Sequence, residues 1–441
     1  YVVLSPLFGY GLKRLIKRIP ESSAVLCIEC DAQLDQLFKT QRDSSVKDIN
    51  VPYIYTFSGQ QLCSYVRTVW GPRRFRRIRE VCFGAGHSLH ESTYQNLVKE
   101  LQKDISTDWF NAMTLTRLGR LFALNTVKNL SLLHTHKDLP DLYLEETPVL
   151  VCGAGPSLDM CIKKLIAAYP AVQDIHTRKL AIFCVDTALP ALRAWGIQAN
   201  LVIALESQHW NLGDFIGFSS SPSPLAMDLS AHSGTARIDN GKQLYLFFTR
   251  WTSLSLLDRI QSLCPSLSEL KALGSVGLSA VNLALGATRA PVYTCGLDFA
   301  YEVDRYHARE SPGNIYRLYK SNRLKSPIDP APAFRPITQK TAGKNGLLLR
   351  SDPALRSYQA LFEREFAACN RLFDISPYGL PLGIPVKSIT EAVESLAGCK
   401  KQTVKQAKQN SLQGPSRQKV LDFIRLERNQ ALQLRSILSG K

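Results

Sequence analysis

No stretch of the sequence approaches the roughly 20 apolar residues that a membrane-spanning helix requires. The apolar runs have the length of β-strands and are interrupted by charged residues, and the hydrophobic fraction of 45% is that of a soluble globular protein. The chain starts at Tyr1 without the basic-then-apolar leader of secreted proteins, and no internal repeat is found. We therefore expect a cytoplasmic protein.

The sequence also offers little for a disulfide framework or a cysteine-based metal site. Its 11 cysteines are odd in number and scattered. Several lie in strand-like runs, such as Cys152, Cys184 and Cys295, which favours buried, reduced thiols. Cys27 and Cys30 form a CxxC pair, but no second pair lies nearby to complete a zinc site. No metal is expected.

Acidic residues are few relative to basic ones: the chain has 37 Asp and Glu and 54 Lys and Arg, which give a formal net charge of +17. Such a charge favours an anionic partner: a nucleotide sugar, a nucleic acid, or an acidic protein or membrane surface. The basic clusters are not interleaved with aromatic residues in the pattern of a nucleic-acid module, so no nucleic-acid partner is expected.

A chain of 441 residues is too long for one hydrophobic core, so several domains are expected. The predicted organisation is a small α/β amino-terminal domain over 1–90, a helical connector over 91–146, a central domain over 147–385, and a helical carboxyl-terminal region over 386–441. A proline-rich, basic stretch at 311–344 has no clear periodicity and is predicted to form a lid over an anionic ligand.

The amino-terminal segment has the outline of a Rossmann half. Gly9 and Gly11 precede a predicted helix, and the predicted strand 24–28 ends at Glu29 and Asp31. The third glycine of the dinucleotide fingerprint is absent, so we favour a structural βαβ unit without a ligand.

The central segment alternates strand-like with helix-like runs, which predicts an α/β fold with a mostly parallel, Rossmann-like sheet. Ligands of such a sheet bind at the carboxyl ends of its strands. The predicted strands are 148–152, 180–185, 201–205, 225–227, 244–248, 291–295 and 372–375. The predicted helices are 158–168, 188–195, 253–260 and 275–285.

The strongest local motif is VLVCGAGPSL, which begins at Val149. A strand ends at Gly153, turns through Ala154, Gly155 and Pro156, and enters a helix for which Ser157 is the predicted N-cap. Backbone N–H groups at such a turn favour phosphate or ribose oxygens, although many tight strand-to-helix turns need glycine for backbone reasons alone.

Further polar residues follow other predicted strands of the central domain. In a parallel sheet these residues emerge on the same rim as the glycine turn. They are Asp186 and Thr187, then Glu206, Ser207 and Gln208, and finally Asp298. Gly274 and Ser275 repeat the arrangement of a glycine before a helix.

Four motifs in a fixed order resemble the central domain of motility accessory factor (Maf) proteins. They are GAGPSL from Gly153, VDTALPAL from Val185 with WGIQANLVIALE from Trp195, GSVGLSAVNLALGA from Gly274, and PVYTCGLDFAY followed by RYHA from Pro291. The amino-terminal FGYGLKRL and VLCIECD are similar to the Maf amino-terminal domain. The resemblance implies a domain related in fold to bacterial sialyltransferases, which use CMP-activated sugars.

The resemblance also implies roles for individual residues. The cytidine nucleotide would be held by Gly153, Ala154, Gly155, Pro156, Ser157, Gly274 and Ser275, with Asp186 and Thr187 on the same rim. Ala154 stands where the sialyltransferase pattern has Asn. Tyr306 matches a tyrosine next to the leaving phosphate, and Tyr301 is offset by one residue from a second. His307 is the expected base. Asp298 and Glu206 are the alternatives, or they contact the sugar or acceptor together with Ser207 and Gln208.

The function that follows is a metal-independent transfer of a nonulosonic acid of the pseudaminic or legionaminic type. The donor would be the CMP-sugar, and the acceptors would be Ser and Thr hydroxyls of flagellin. One alternative is an enzyme like 6-hydroxymethylpterin pyrophosphokinase, which would use ATP with Mg²⁺ and would make Asp186, Glu206 and Asp298 metal-ligand candidates. Another is a non-catalytic protein that binds flagellin.

Overall fold

A computed structural model of the chain describes residues 1–41, 50–217, 223–238, 243–252, 254–326, 334–399 and 414–439. The chain divides into two compact units, Tyr1–Arg120 and Leu121–Lys441. No helix in these described ranges is both long and apolar enough to cross a membrane.

The first unit contains a small parallel sheet. Its strands are β1 (Val2–Leu4), β2 (Leu26–Glu29), β3 (Tyr53–Tyr55) and β4 (Glu80–Val81), in the order β3-β2-β1-β4. Its helices are α1 (Leu12–Arg18), α2 (Ala32–Thr40), α3 (Gly59–Trp70) and the first part of α4 (Glu91–Asn129), within which the boundary between the units falls.

The period of two along a strand explains why this sheet is covered on both faces. Val2 and Leu4 belong to a cluster with Leu97, whereas the intervening Val3 belongs to a separate cluster with Phe38. Alternate residues of one short strand therefore stabilise two hydrophobic layers.

The described part of the second unit contains ten strands. They are β5 (Val149–Cys152), β6 (Ala181–Val185), β7 (Leu201–Ala204), β8 (Leu225–Asp228), β9 (Leu244–Thr249), β10 (Ser268–Leu270), β11 (Val292–Cys295), β12 (Gln339–Ala342), β13 (Leu348–Ser351) and β14 (Leu372–Asp374). Eight of them form a wholly parallel sheet in the order β10-β9-β8-β7-β6-β5-β11-β14, while β12 and β13 pair antiparallel.

The helices of the second unit lie between these strands and at the carboxyl end. They are α5 (Ser157–Ala168), α6 (Leu189–Ala194), α7 (Thr235–Ile238), α8 (Ser255–Leu263), α9 (Val276–Ala287), α10 (Pro312–Lys320), α11 (Pro353–Phe366), α12 (Ile389–Ser395) and α13 (Arg417–Ser439). Every residue of the central strands β5 to β9 is buried, as expected for a parallel sheet covered on both faces.

The predicted fold class is confirmed: a mostly parallel, Rossmann-like sheet, a small α/β amino-terminal unit and a helical carboxyl end. All seven strands predicted for the central segment are present with bounds that agree within one residue. The predicted helical connector contains α4, a single helix of 39 residues. The stretch 311–344 contains α10 and β12, although no periodicity indicated them, and its residues 327–333 lie outside the described ranges, as do 400–413 of the carboxyl-terminal region.

The strand order identifies where a ligand of the large sheet should bind. From β5 the chain adds strands outward to β10 and then returns to place β11 on the other side of β5. The crevice at the carboxyl ends of β5 and β11 is therefore the topological switch point, at which open α/β sheets bind their ligands.

Candidate active site

Two glycine turns interlock at the switch point. The N–H of Gly153 donates to the Cys295 carbonyl (2.8 Å), and the N–H of Gly155 donates to the Gly296 carbonyl (2.8 Å). A Cβ added at Gly153 would overlap the Gly296 carbonyl oxygen, and a Cβ added at Gly296 would overlap that of Gly153. The close approach of two backbones thus requires glycine at these positions.

Asp298 joins the two turns from the inside. Its Oδ1 accepts a hydrogen bond from the Ser157 hydroxyl (2.6 Å) and its Oδ2 accepts one from the Ser157 N–H (2.7 Å). The carboxyl group is buried, and burial raises the pKa of Asp298 to about 7. The carboxyl that follows β11 therefore supports the start of α5.

This arrangement corrects the predicted helix cap. Ser157 is the first residue of α5, Pro156 occupies the N-cap position, and no side chain of that position caps the helix. Since the amides of Gly155 and Ser157 already have partners within the protein, they are not the groups of this turn that would meet a phosphate.

The start of α9 meets the same turns. Gly274 has a φ of +67°, in the left-handed region, and Ser275 is the N-cap residue without a side-chain hydrogen bond to the helix. A Cβ added at Gly277 and one added at Gly153 would each lie 2.6 Å from Cδ2 of Leu297. The Gly153 turn and the amino-terminal end of α9 therefore converge on one side chain, and the N–H groups of that helix end carry partial positive charge.

The loop with the predicted catalytic residues packs against the glycine turn. The N–H of Ala308 donates to the Ala154 carbonyl (2.9 Å), and the His307 ring is hydrogen-bonded to the Ala154 backbone as well. The ring of Tyr306 lies 4.3 Å from that of Tyr301 and 4.8 Å from that of His307. Three predicted catalytic side chains thus form one aromatic cluster beside Ala154, with tilted and edge-on ring contacts.

Burial sets the protonation state of two groups in this aromatic cluster. Burial, with Asp352 and Tyr301 as smaller causes, raises the pKa of Tyr306 to about 12, so its hydroxyl keeps its proton at neutral pH. Burial also lowers the pKa of His307 below its usual value, so its imidazole is neutral at pH 7. A hydroxyl donor and a neutral base lie side by side.

Asp186 enters a second polar cluster, at the end of β6. The Asn211 amide donates to Asp186 Oδ2 (2.8 Å) and to Asp214 Oδ2 (2.8 Å), and the Thr187 N–H donates to Asp186 Oδ1 (2.8 Å). Burial raises the pKa of Asp186 to about 6 and that of Asp214 to about 7. Sequence reasoning missed Asn211 and Asp214, which lie in a 3-10 helix rather than directly after a strand.

Glu206, Ser207 and Gln208 follow β7, two strands from β5, which corresponds to about 10 Å along the rim. Glu206 is exposed and accepts a hydrogen bond from the N–H of Gln208 (3.2 Å), whereas Ser207 is buried. Burial raises the pKa of Tyr358, with the charges of Asp352 and Glu206 as smaller causes, and the Tyr358 ring would lie 3.4 Å from a Cβ added at Gly274. Of the three predicted carboxylates, Asp186 and Asp298 are buried and Glu206 is open to solvent.

Two asparagines missed in the sequence hold the rim loops in place. Asn125 donates to the Ser207 carbonyl (2.9 Å), and Asn129 donates to the carbonyls of Leu229 (2.9 Å) and Ala231 (2.9 Å). Both asparagines lie on α4 four residues apart, so they share a helix face. The available signal in the sequence was two asparagines at a helical spacing.

In the described ranges the cysteines form no disulfide and no metal-binding cluster. The cysteines are free thiols, and those of β5, β6 and β11 are buried, as predicted. Across the part of the chain that the structure describes, no three His, Cys, Asp or Glu side chains are grouped so that they could hold a metal ion.

The chain resembles known proteins, in part or over most of its length. Residues 122–304 match the family described as 6-hydroxymethylpterin diphosphokinase MptE-like. An uncharacterized protein of Treponema pallidum (strain Nichols) is 29% identical over 387 residues, which cover 86% of this chain and 65% of that protein. The structure of a Maf glycosyltransferase from Magnetospirillum magneticum AMB-1 aligns with a TM-score of 0.57 at 16% identity, covering 96% of this chain and 60% of that one. The chain thus has a Maf-like fold and spans less than two thirds of each of these two proteins.

Proposed function

We propose that the chain is a glycosyltransferase that moves a nonulosonic acid from its CMP-activated form to Ser or Thr hydroxyls of flagellin in the cytoplasm. The observation that carries the proposal is the convergence of the Gly153 turn, the start of α9 and the Tyr301–His307 loop at the switch point of the parallel sheet. The Maf-like fold supports it.

The donor nucleotide binds along the rim from the start of α9 to the end of β6. The uncapped N–H groups after Gly274 and Ser275 meet the phosphate. Gly153 to Ser157 line the site, and their glycines let the nucleotide come close to the backbone. Thr187, with Asp186 behind it, faces the nucleoside. In this assignment Asp298 positions the turn through Ser157 rather than touching the sugar.

The Tyr301–His307 loop supplies the chemistry. The acceptor hydroxyl oxygen forms a bond to the anomeric carbon of the sugar, and the bond from that carbon to the phosphate oxygen breaks, so that CMP leaves with the electron pair. Tyr306, which stays protonated, donates a hydrogen bond to the leaving phosphate, and its ring is held by Tyr301. His307 takes the acceptor proton, because burial keeps its imidazole neutral at pH 7.

Glu206 and Gln208 lie on the open part of the rim and contact the sugar or the acceptor. Ser207 is buried, and its backbone carbonyl is held by Asn125, so its role is to position the other two. Glu206 is the second candidate for the base, since its carboxylate is exposed.

The test is CMP release from a panel of CMP-nonulosonic acids, followed by mass spectrometry with and without flagellin and with and without EDTA. We expect release that depends on flagellin and is insensitive to EDTA. His307→Gln should lower kcat about 10²- to 10⁴-fold and leave the CMP dissociation constant unchanged within a factor of two. The matched control is the exposed His176, whose change to Gln should alter neither quantity. Full activity of His307→Gln would transfer the role of base to Glu206.

A second candidate function has one observation in its favour, the match of residues 122–304 to the MptE-like family. That activity would transfer diphosphate from ATP to a hydroxymethylpterin with Mg²⁺. The described residues bring no three carboxylates or other ligands together around one point, and Asp186 and Asp298 have hydrogen-bond partners within the protein. We therefore derive no step through a metal. Turnover of ATP on a pterin would replace the glycosyltransferase proposal, and flagellin binding without turnover of either donor would indicate a binding protein.

A further inference from the structure

Helix α10 has no buried residue, which is unusual because a helix of a globular protein normally packs one apolar face against the core. Its side chains are nevertheless apolar in part: Tyr316 is 58% exposed and Tyr319 is 86% exposed. These two lie three residues apart and therefore share a helix face. The ammonium of Lys320 lies 4.3 Å from the centre of the Tyr316 ring.

More exposed apolar side chains follow in the next segments. Leu324 is 92% exposed, and Phe334, Ile337 and Leu348 are exposed as well. We call Tyr316, Tyr319, Leu324, Phe334, Ile337 and Leu348 the α10–β13 surface. Single exposed apolar residues are ordinary, whereas six large ones along 33 residues of chain make this part of the second unit a candidate interaction surface.

Both ends of the α10–β13 surface are attached to the loop that carries the proposed catalytic residues. On α10, the Asn314 amide donates to the carbonyls of Ala308 (2.8 Å) and His307 (3.4 Å). At the other end, the backbone of Arg350 in β13 exchanges hydrogen bonds with that of Tyr301 (2.8 and 2.9 Å). What binds to this surface is therefore held next to Tyr301 and His307.

The charge of this segment selects the partner. Residues 311–350 contain eight Lys or Arg and a single Asp. One of the eight, Lys344, is paired with the buried Asp374, and two of the other basic side chains stand over rings of the surface. A surface with exposed aromatic rings and nearly uniform positive charge complements a partner that alternates acidic with apolar side chains.

We propose that the α10–β13 surface docks the protein acceptor through a segment rich in acidic and apolar side chains, a role that rests on the proposed glycosyltransferase function. Tyr319 lies five residues along α10 from Asn314, or about 8 Å. An extended peptide covers that distance with about three residues. Because the Asn314 amide is hydrogen-bonded to the His307 carbonyl (3.4 Å), an acceptor segment somewhat longer than three residues reaches from Tyr319 to the hydroxyl that His307 deprotonates.

The binding test uses fluorescein-labelled 25-residue peptides with one Ser flanked by alternating Glu and Leu, and a matched peptide with Lys in place of Glu. Fluorescence anisotropy should show binding of the acidic peptide, weakened by salt, and none of the basic one. Tyr316→Ala/Tyr319→Ala should raise the dissociation constant at least tenfold. The control Leu434→Ala/Leu438→Ala removes two equally exposed side chains from α13 and should leave the constant unchanged. Equal affinity of both double variants would overturn the proposal.

Two further measurements separate this proposal from its rivals. With flagellin and a CMP-sugar, the tyrosine variant should raise the KM for flagellin and leave the KM for the donor and the slow donor hydrolysis without acceptor unchanged. An increase in donor KM alone would mean that the segment is a lid over the donor. Sedimentation with phosphatidylglycerol vesicles that depends on the tyrosines, without peptide binding, would mean that the partner is a membrane. Because peptide binding needs no turnover, absence of transfer with intact binding would refute the enzyme function and not the docking surface.

Discussion

Replacing Asp298 by Asn tests the junction of the two glycine turns. In the folded protein burial raises the pKa of Asp298 to about 7, whereas an unfolded Asp titrates near 4. Between these two values the folded state binds the proton that the unfolded state has lost. The free energy of unfolding that Asp298 contributes is therefore fully present below pH 4 and is lost as the pH rises through 7.

The magnitude follows from the width of this window. From pH 5 up to the folded pKa of about 7, a span of about two pH units, the folded state holds one proton more than the unfolded state. The parent therefore loses about 3 kcal/mol of its free energy of unfolding between pH 5 and pH 8. Asn has no proton to lose, so the free energy of unfolding of Asp298→Asn does not show this change with pH. Relative to the parent, Asp298→Asn should therefore gain about 3 kcal/mol between pH 5 and pH 8. At pH 5 it should be less stable by about 1 to 2 kcal/mol, because its NH₂ cannot accept from Ser157.

Hydrogen exchange of peptides covering β5 and β11 is the suitable assay, since it reports the opening of this part of the second unit by itself. The control is Asp304→Asn, which removes an exposed carboxyl from the loop after Asp298 and should leave the exchange of these peptides unchanged. A difference between Asp298→Asn and the parent that changes by less than about 1 kcal/mol from pH 5 to pH 8, or that moves in the opposite direction, would refute a carboxyl group that burial keeps protonated.

Three more predictions concern the same region. Gly296→Ala places a Cβ against the Gly153 carbonyl at a φ of +71°, so it should lower the free energy of unfolding in urea by at least about 3 kcal/mol. The control Gly286→Ala in α9, with open space around it, should raise that free energy by about 0.5 to 1 kcal/mol. Equal effects of the two variants would contradict the interlocked turns. Lys344→Met leaves the buried Asp374 without its ion-pair partner and should cost about 3 to 5 kcal/mol, most of it recovered in Lys344→Met/Asp374→Asn; a thermal unfolding curve unchanged by the single variant would disprove a coupled pair. Because burial lowers the pKa of His307, the acid limb of kcat should have its midpoint below 6.5 and be absent in His307→Gln; a midpoint above 6.5 would exclude His307 as the base.

The strands of the large sheet were predictable because a parallel strand covered on both faces needs a short, continuous apolar run. Val149–Cys152 and Leu244–Thr249 are such runs. β10 was missed since it is an edge strand of three residues whose central Glu269 is exposed. α10 was missed because helix periodicity reports a buried face, and this helix buries none.

For the candidate site, strand ends could be located from the sequence, but the direction of each polar side chain could not. Asp186 and Asp298 follow their strands as predicted, yet Asp186 faces Asn211 and Asp298 faces Ser157. Their partners are 25 and 141 residues away along the chain, and nothing local indicates such a pairing.

The order of apolar runs and glycine turns along the chain is sufficient to predict a parallel sheet with a polar rim at the carboxyl ends of its strands. The reason is that the apolar runs that favour buried strands and the backbone sterics that favour glycine turns both act locally. Which strands become neighbours is a long-range result of packing. Only the return of β11 to the side of β5 brings Asp298 under the Gly153 turn and His307 against Ala154. That adjacency turns three separate polar loops into one candidate active site.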